Sequence, residues 1–276
     1  MRDDLSKDFF VASEERDPLA SARKDARPAL PKRFYKDVAI AAEGEGFVIT
    51  LDGRKLKTPA RIDLTLPSEA AAEAISEEWR AQGEEIDPRT MPLTRLVNSA
   101  LDGVARDVTS VIDDIVRYAG SDLVCYRAAE PAGLVAAQSE AWDPVLAFAR
   151  DELGARFICV EGITFTEQPS RAIAAVRDAI VQSSGERPLA VAALHVMTTL
   201  TGSVLLALCV ARRELTPEAA WEAAHVDEDV QMRVWGADAE ALARRERRWA
   251  EFAAATCLFT LIQPWRTSPA SSLGSS

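Results

Sequence analysis

Residues 189–210 read LAVAALHVMTTLTGSVLLALCV and carry no charged side chain. The run is long enough to span a bilayer, which needs roughly 20 apolar residues. Its middle, from Thr198 to Ser203, is instead rich in small and hydroxylated residues, and a charged helical segment follows it. A helix that is apolar on all sides lies either in a membrane or at the centre of a helical domain. A single span this late in the chain would be a poor membrane topology, so we predict that the run is buried.

The chain outside this run predicts β structure followed by helices. Residues 34–66 contain short alternating segments, and Asp52-Gly53 between FVITL and RKLKT is typical of a two-residue hairpin. From the helix cap expected at Ser68 onward, apolar residues recur mainly at helical spacing. The predicted helices cover residues 68–81, 93–118, 134–153, 169–183, 217–235 and 237–262, with Gly103 interrupting the second, Asp143-Pro144 breaking the third, and short strands at ARFICV and ITF between the third and the fourth.

These patterns predict an α+β fold, with a small N-terminal β-rich α/β portion and a larger, mainly helical C-terminal part. The composition turns polar between Ala81 and Pro92, which places the boundary there. The predicted domains cover residues 33–88 and 89–265, flanked by a disordered or extended arm over residues 1–32 and a disordered tail over residues 266–276.

Composition narrows the classes of function. The net charge of −11 argues against non-specific binding of nucleic acid, which requires a basic surface, and it favours a basic partner. The four cysteines are far apart and form no CxxC pattern, so we expect neither a zinc site nor a disulfide framework, and we expect a reducing compartment. The first ~30 residues mix acidic with basic side chains, unlike a secretory signal or a mitochondrial import sequence.

Four common catalytic motifs are absent from the sequence: GxSxG, GxxxxGK[ST], GxGxxG and HExxH. Of the two histidines, His195 lies in the apolar run and is predicted to be a core residue. His225 lies on a charged helix and is predicted to be at the surface or at an interface. The carboxylate clusters at 113–114 and 227–229 are interpreted as solvated acidic faces. We therefore expect no catalytic residue, no metal and no cofactor.

One segment, YAGSDLVCYR, is a candidate for a binding function. Its Tyr126 and Arg127 belong to residue types that anchor protein–protein interfaces. The alternative is that Asp122 caps a short element while Tyr126 packs internally. Trp142 and Asp143 leave the same two interpretations open, because a buried aromatic residue followed by a helix cap gives the same pattern.

The pair Trp235-Gly236 is a second candidate. Gly236 is suited to end a helix, because glycine readily adopts the left-handed conformation found there. Trp235 then either fills the core or lies in an exposed groove. Both alternatives are compatible with the sequence.

Seven segments of the chain form an ordered set: RFYKDVAI, LDGRKLKTP, MPLTRLVNSALD, YAGSDLVCYRA, LVAAQSEAWDPVL, LHVMTTLTGSVLLALCV and AWEAAHVDEDVQMRVWG. With this set the chain resembles a known family, the assembly chaperones of the F-type ATP synthase that act on the α subunit of its catalytic head. The resemblance extends from about Arg33 to Ile262 and depends on the ordered set more than on any one motif.

The resemblance implies an N-terminal α/β portion, a C-terminal orthogonal helical bundle and no catalytic activity. It implies one partner, the free α subunit of the F-type ATP synthase before it joins the β subunit. In the family an acidic position shortly after the Trp-Gly pair is important for function, and Glu240, followed by Asp238, matches it best here. Because the acidic N-terminal arm departs from a mitochondrial import sequence, the resemblance points to a bacterial member in the cytoplasm, with eukaryotic relatives in the mitochondrial matrix.

The resulting hypothesis is a chaperone, expected to be a monomer that binds no nucleic acid and inserts into no membrane, which covers the free α subunit until β displaces it. The predicted partner-binding residues are Asp122, Tyr126, Arg127, Trp142, Asp143, Trp235, Gly236, Asp238 and Glu240. Two alternatives remain open. One is a small-molecule enzyme with a site at the domain junction that uses Asp122, Arg127 and Asp143, and the other is a membrane-anchored factor that uses residues 189–210.

Overall fold

The N-terminal part of the chain folds as a small antiparallel sheet. The computed structural model describes residues 30–162, 164–236 and 238–263, so most of the predicted arm and the whole predicted tail lie outside the described residues. Strands β1 (Val38–Glu43) and β2 (Gly46–Leu51) pair over their whole length, and β3 (Arg54–Lys55) and β4 (Thr65–Leu66) both pair with β2.

The turn between β2 and β3 confirms the hairpin predicted at Asp52-Gly53. Both turn residues have positive φ, 48° at Asp52 and 76° at Gly53, and Leu51 pairs with Arg54 across the turn. Two successive positive φ angles match the right-handed twist of the flanking strands, which is why Asp-Gly is favoured at this position.

The rest of the described chain is mainly helical. The helices are α1 (Glu69–Arg80), α2 (Pro92–Asp102), α3 (Val108–Tyr118), α4 (Ala132–Asp151), α5 (Ser170–Ser184), α6 (Pro188–Thr201), α7 (Val204–Arg212), α8 (Pro217–Ala224), α9 (Val226–Trp235) and α10 (Ala239–Leu261). Strands β5 (Tyr126–Arg127) and β6 (Val160–Glu161) pair in parallel between them. The predicted α+β fold, with a β-rich beginning and a helical remainder, is confirmed.

Helix α1 joins the sheet to the helical part. Ser68 caps it as predicted, since its hydroxyl oxygen accepts a hydrogen bond from the backbone N–H of Ala71, and the helix packs on β1 and β2. The same hydroxyl donates to the carbonyl of Leu261 at the end of α10, at 2.7 Å. One buried hydrophobic cluster then extends from Tyr35 to Ile262, and the predicted domain boundary stays a prediction.

The apolar run at 189–210 is buried, as predicted, and it forms two helices instead of one. Gly202, with φ of 68°, ends α6, and the Ser203 side chain caps α7 by accepting from Leu206 N at 3.0 Å. Helices α2, α3, α5, α7, α8 and α10 all pack against α6. Across the described ranges, no helix is long and apolar enough to cross a membrane.

Four local predictions were wrong. Helix α4 continues through Pro144 and does not break there. Pro144 has no backbone N–H to donate to the carbonyl one turn earlier, but it is exposed, so water can bind that carbonyl instead. The predicted helix over 217–235 divides at His225, which is 4% exposed instead of lying at the surface. Of the segment ARFICV, only the final valine is in a strand, and the ITF segment falls partly outside the described residues.

Burial in α7 yields a prediction about stability. Leu206 is 0% exposed, so Leu206→Ala should lower the free energy of unfolding by about 2–5 kcal/mol, because it leaves a cavity in the centre of the bundle. Leu242→Ala is the matched control, since Leu242 is 44% exposed, and it should change stability by no more than about 0.5 kcal/mol. Denaturant unfolding measures both changes, and equal effects would contradict the packing described.

Candidate functional site

Asp122 lies inside the protein, where it caps two elements at once. Asp122 is 0% exposed to solvent. One carboxylate oxygen accepts from Val124 N at 3.2 Å in the turn after Asp122, and the other accepts from Leu205 N at 3.1 Å in the first turn of α7. Both oxygens are therefore committed to backbone amides, and in this conformation no partner or substrate can reach them.

Burial sets the protonation of Asp122. Removal from water raises the pKa of its carboxyl to about 6, although hydrogen bonds from Ser203 and from nearby backbone amides oppose the shift. A folded-state pKa above the ordinary value of 3.8 means that the folded chain holds this proton more tightly than the unfolded chain. The contribution of Asp122 to stability is therefore greatest at low pH, and it is lost as the pH rises through about 6.

Arg127, Trp142 and Asp143 form one contact group beside this turn. The guanidinium of Arg127 donates to Asp143 Oδ1 at 2.6 Å and lies 5.5 Å from the centroid of the Trp142 ring. Its Nε also donates to the carbonyl of Val124 at 3.0 Å. Trp142 is 1% exposed and donates from Nε1 to the carbonyl of Ala223 in α8, at 2.7 Å.

These contacts give most of the first candidate group internal roles. Trp142 is a core residue, and Arg127 and Tyr126 are half-buried, so only the Asp143 side chain, 62% exposed, is widely open to solvent. The alternative interpretation of the motif, a cap followed by packing, accounts for Asp122. The three residues of the enzyme alternative thus form no open cluster, since Asp122 is sealed and Arg127 is paired with Asp143.

Gln138 links this group to α9, and sequence reasoning missed it. It is 2% exposed, accepts from Ala128 N at 2.8 Å just after β5, and donates to Asp227 Oδ1 at 2.7 Å. A signal was present in the sequence: Gln138 precedes Trp142 by four residues, so both lie on the same helix face, and an amide on a buried face requires partners. The interpretation of 227–229 as a solvated acidic face fails at Asp227, which is bonded to this amide.

The second candidate group lies at an exposed corner. We define the docking corner as residues 234–242, leaving out residue 237, at the junction of α9 and α10. Within it, Val234 is 66% exposed, Trp235 is 85% exposed and Leu242 is 44% exposed. Scattered exposed apolar residues are normal, but several large ones in one short segment make that segment a candidate interaction site.

Backbone geometry fixes the corner. Gly236 ends α9 as predicted, but not in the left-handed helical conformation: its φ is 89° and its ψ is 163°, an extended conformation that glycine adopts without strain. Its N–H donates to the carbonyl of Met232 at 2.9 Å. Asp238 caps α10 by accepting from Glu240 N at 3.1 Å. Glu240 is exposed in the first turn of α10, where a negative charge suits the helix dipole.

Both histidines are internal. Burial lowers the pKa of His195 in α6 and of His225 between α8 and α9, which favours the neutral imidazoles. The His225 ring packs 4.2 Å from that of Trp221, which also contacts Trp249 and Phe252. In the part of the chain that the structure describes, no three His, Cys, Asp or Glu side chains are grouped so that they could hold a metal ion.

The buried carboxyl gives a prediction about pH. Asp122→Asn removes the titrating group. The free energy of unfolding of the wild type minus that of the variant therefore reports the pH dependence that Asp122 contributes. This difference should fall by an amount on the order of 3 kcal/mol as the pH rises from about 4 to about 7. Denaturant unfolding at each pH measures it, and a difference that is flat, or that rises with pH, would contradict the burial of a titrating carboxyl.

Asp87 provides a control of opposite sign. Hydrogen bonds from the Arg89 side chain and backbone lower the pKa of the Asp87 carboxyl to about 2. Its stabilising contribution is present above its ordinary pKa and lost as the pH falls towards about 2. The wild-type advantage over Asp87→Asn should therefore rise with pH between about 2 and about 4, whereas the advantage over Asp122→Asn falls between about 4 and about 6.

Comparison with known proteins places this architecture among chaperones. A family model described as "ATP12 chaperone protein" matches residues 32–150. The chain is 26% identical over 140 residues to "Protein atp12, mitochondrial" of Schizosaccharomyces pombe, and it spans about half of that protein's length, 48%.

Two solved structures match nearly the whole fold. A candidate chaperone from Agrobacterium tumefaciens is 48% identical, with a TM-score of 0.82 over 91% of this chain and 93% of its own. Atp12 from Paracoccus denitrificans is 37% identical, with a TM-score of 0.78 over 84% of this chain and 99% of its own. Identity of this degree over almost the full length of both structures shows common membership, and the chain belongs to the ATP12 chaperone family.

Proposed function

We propose that this chain is an assembly chaperone of the F-type ATP synthase, and that it binds the free α subunit through the docking corner. The observation that carries the proposal is the exposure of Trp235, 85%, beside two further exposed apolar residues in a chain of this family. The family supplies the chaperone class. We propose the α subunit as the client because the motifs described above resemble those of the α-specific assembly chaperones.

The composition of the docking corner suits a protein partner. Tryptophan is the residue type most often found as an interface anchor, because burying its ring removes a large apolar area from water. Val234 and Leu242 are further exposed apolar residues of the docking corner, and Asp238 and Glu240 are exposed acidic residues in the same segment. An apolar centre with a polar rim is the usual anatomy of an interface between proteins.

The proposed mechanism is protection followed by exchange. A free α subunit exposes the surface that β later covers, and large apolar surfaces of this kind aggregate when bare. The chaperone covers that surface and binds it less tightly than β does, so β displaces the chaperone. Exchange by competition requires no ATP hydrolysis. The sequence contains no P-loop motif, which agrees with this mechanism. The bacterial cytoplasm is the compartment proposed for this exchange.

Co-expression of this chain with the isolated α subunit from the same cell tests the client assignment. We expect α to become soluble and to elute with the chain as a complex of one copy of each, and added β to release it. Gel filtration measures both steps. If α aggregates regardless and the chain elutes alone, the client is wrong.

Trp235→Ala tests the docking corner. Losing a buried interface tryptophan typically costs at least about 2 kcal/mol, so we expect the affinity for α to fall about 30-fold with little change in thermal stability. Phe34→Ala is the matched control, because Phe34 is also an exposed aromatic residue, at 71%, and lies in the N-terminal part. Titration calorimetry measures the affinity of each variant for α. If the two substitutions lower this affinity equally, the docking corner is not the binding site.

A further inference from the structure

Helix α9, which carries Trp235, is attached to the protein in an unusual way. Helices are ordinarily held by an apolar stripe buried against the core. None of the ten residues of α9 is fully buried, although the helix packs along α4. Its C-terminal residues, Val234 and Trp235, face solvent. Its position therefore depends more on polar contacts than that of the other long helices.

Two carboxylates supply those contacts. Asp227 accepts a hydrogen bond of 2.7 Å from the side-chain amide of Gln138 in α4. Asp229 accepts from both terminal nitrogens of Arg245 in α10. We call these two pairs, Gln138–Asp227 and Arg245–Asp229, the α9 clamp. Two residues apart in a helix, the two carboxylates point about 200° away from each other. They therefore attach opposite sides of α9 to two different helices, and together they fix both its position and its rotation.

Both pairs are sheltered enough to matter. Gln138 is 2% exposed, and its carbonyl oxygen is held by Ala128 N, so the amide is locked in one orientation. The Arg245 and Asp229 side chains are only 20% and 31% exposed. Hydrogen bonds to an ionised acceptor are stronger than neutral ones, and partial burial reduces their screening by water.

We propose that Gln138 and Arg245 are positioning residues for the docking corner: they hold α9 so that Trp235 is presented to the partner at a fixed place. The proposal rests on the proposed function, because it assumes that the corner binds the client. Trp235 lies eight residues beyond Asp227, about 12 Å along a helix that rises ~1.5 Å per residue. A tilt of about 10° at the clamp would move the tryptophan by about 2 Å, which is enough to misplace an interface anchor.

Hydrogen exchange tests the clamp directly. We expect the amides of residues 226–235 to exchange at least about 10-fold faster in Gln138→Leu and in Arg245→Gln than in the wild type, because α9 opens locally. The amides of α6 should keep their protection in both variants. Gln168→Leu is the matched control: Gln168 is 6% exposed and also holds a backbone, bonding both N–H and C=O of Ile158 at 2.8 Å.

Client binding tests the positioning role. The affinity for isolated α should fall about 10-fold in Gln138→Leu and in Arg245→Gln, and it should not change in Gln168→Leu. If Gln138 acts through Trp235, then Gln138→Leu causes no further loss when Trp235→Ala is already present. A purely structural defect would instead add its own loss in both backgrounds.

The outcomes separate the two proposals. Unchanged exchange over residues 226–235 in both clamp variants overturns the clamp, whatever happens to binding. Faster exchange with unaltered affinity, while Trp235→Ala still loses affinity, overturns the positioning role. If the wild type itself does not bind α, the proposed function fails, and so does positioning for that client, whereas the exchange data still decide whether the clamp holds α9.

Discussion

Helices α6 and α7 have no polar face, and this constraint organises the rest of the protein. A helix that is apolar all round must be covered on every side, and six other helices do so for α6. Burial of residues 204–209 of α7 also removes water from the first turn of this helix, where backbone N–H groups have no partner within the helix. The Asp122 carboxylate takes the place of that water, which explains why an ionisable group with a pKa near 6 lies in the middle of the bundle.

The body of the protein and its proposed binding element, α9, are held in place by different interactions. The interior is held by burial of apolar surface, which tolerates little change, whereas α9 has no fully buried residue and also receives hydrogen bonds from Gln138 and Arg245. The joint between α8 and α9 is fixed by the aromatic group around Trp221 and His225. As a result, the free end of α9 can be exposed and apolar without endangering the core.

Local interactions made much of this fold predictable. The Ser68 cap and the Asp52-Gly53 turn depend on residues close in sequence, and both lie where the sequence predicts them. The apolar periods of the helices are also local and predict most of the helical segments, although not the continuity of α4 through Pro144 or the division at His225. The errors arose where distant contacts decide. Trp142 bonds to a carbonyl 81 residues away, and Gln138 bonds to a carboxylate 89 residues away. No periodicity in either segment contains that information, which is why the sequence favours a solvated acidic stretch at 227–229 and places His225 at the surface or at an interface.

The small size of the docking corner fits a chaperone that must release its client. Stable interfaces bury about 1,200–2,000 Å² in total, and a corner with three large apolar side chains supplies only part of that area. In the proposed mechanism the interface between α and β binds more tightly than this contact does, so β displaces the chaperone. Holding α9 by polar contacts also favours release. If the helix must become more ordered when the client binds, the free-energy cost of that ordering lowers the affinity. Under the proposed function, the docking corner protects the client without binding it so tightly that β cannot take over.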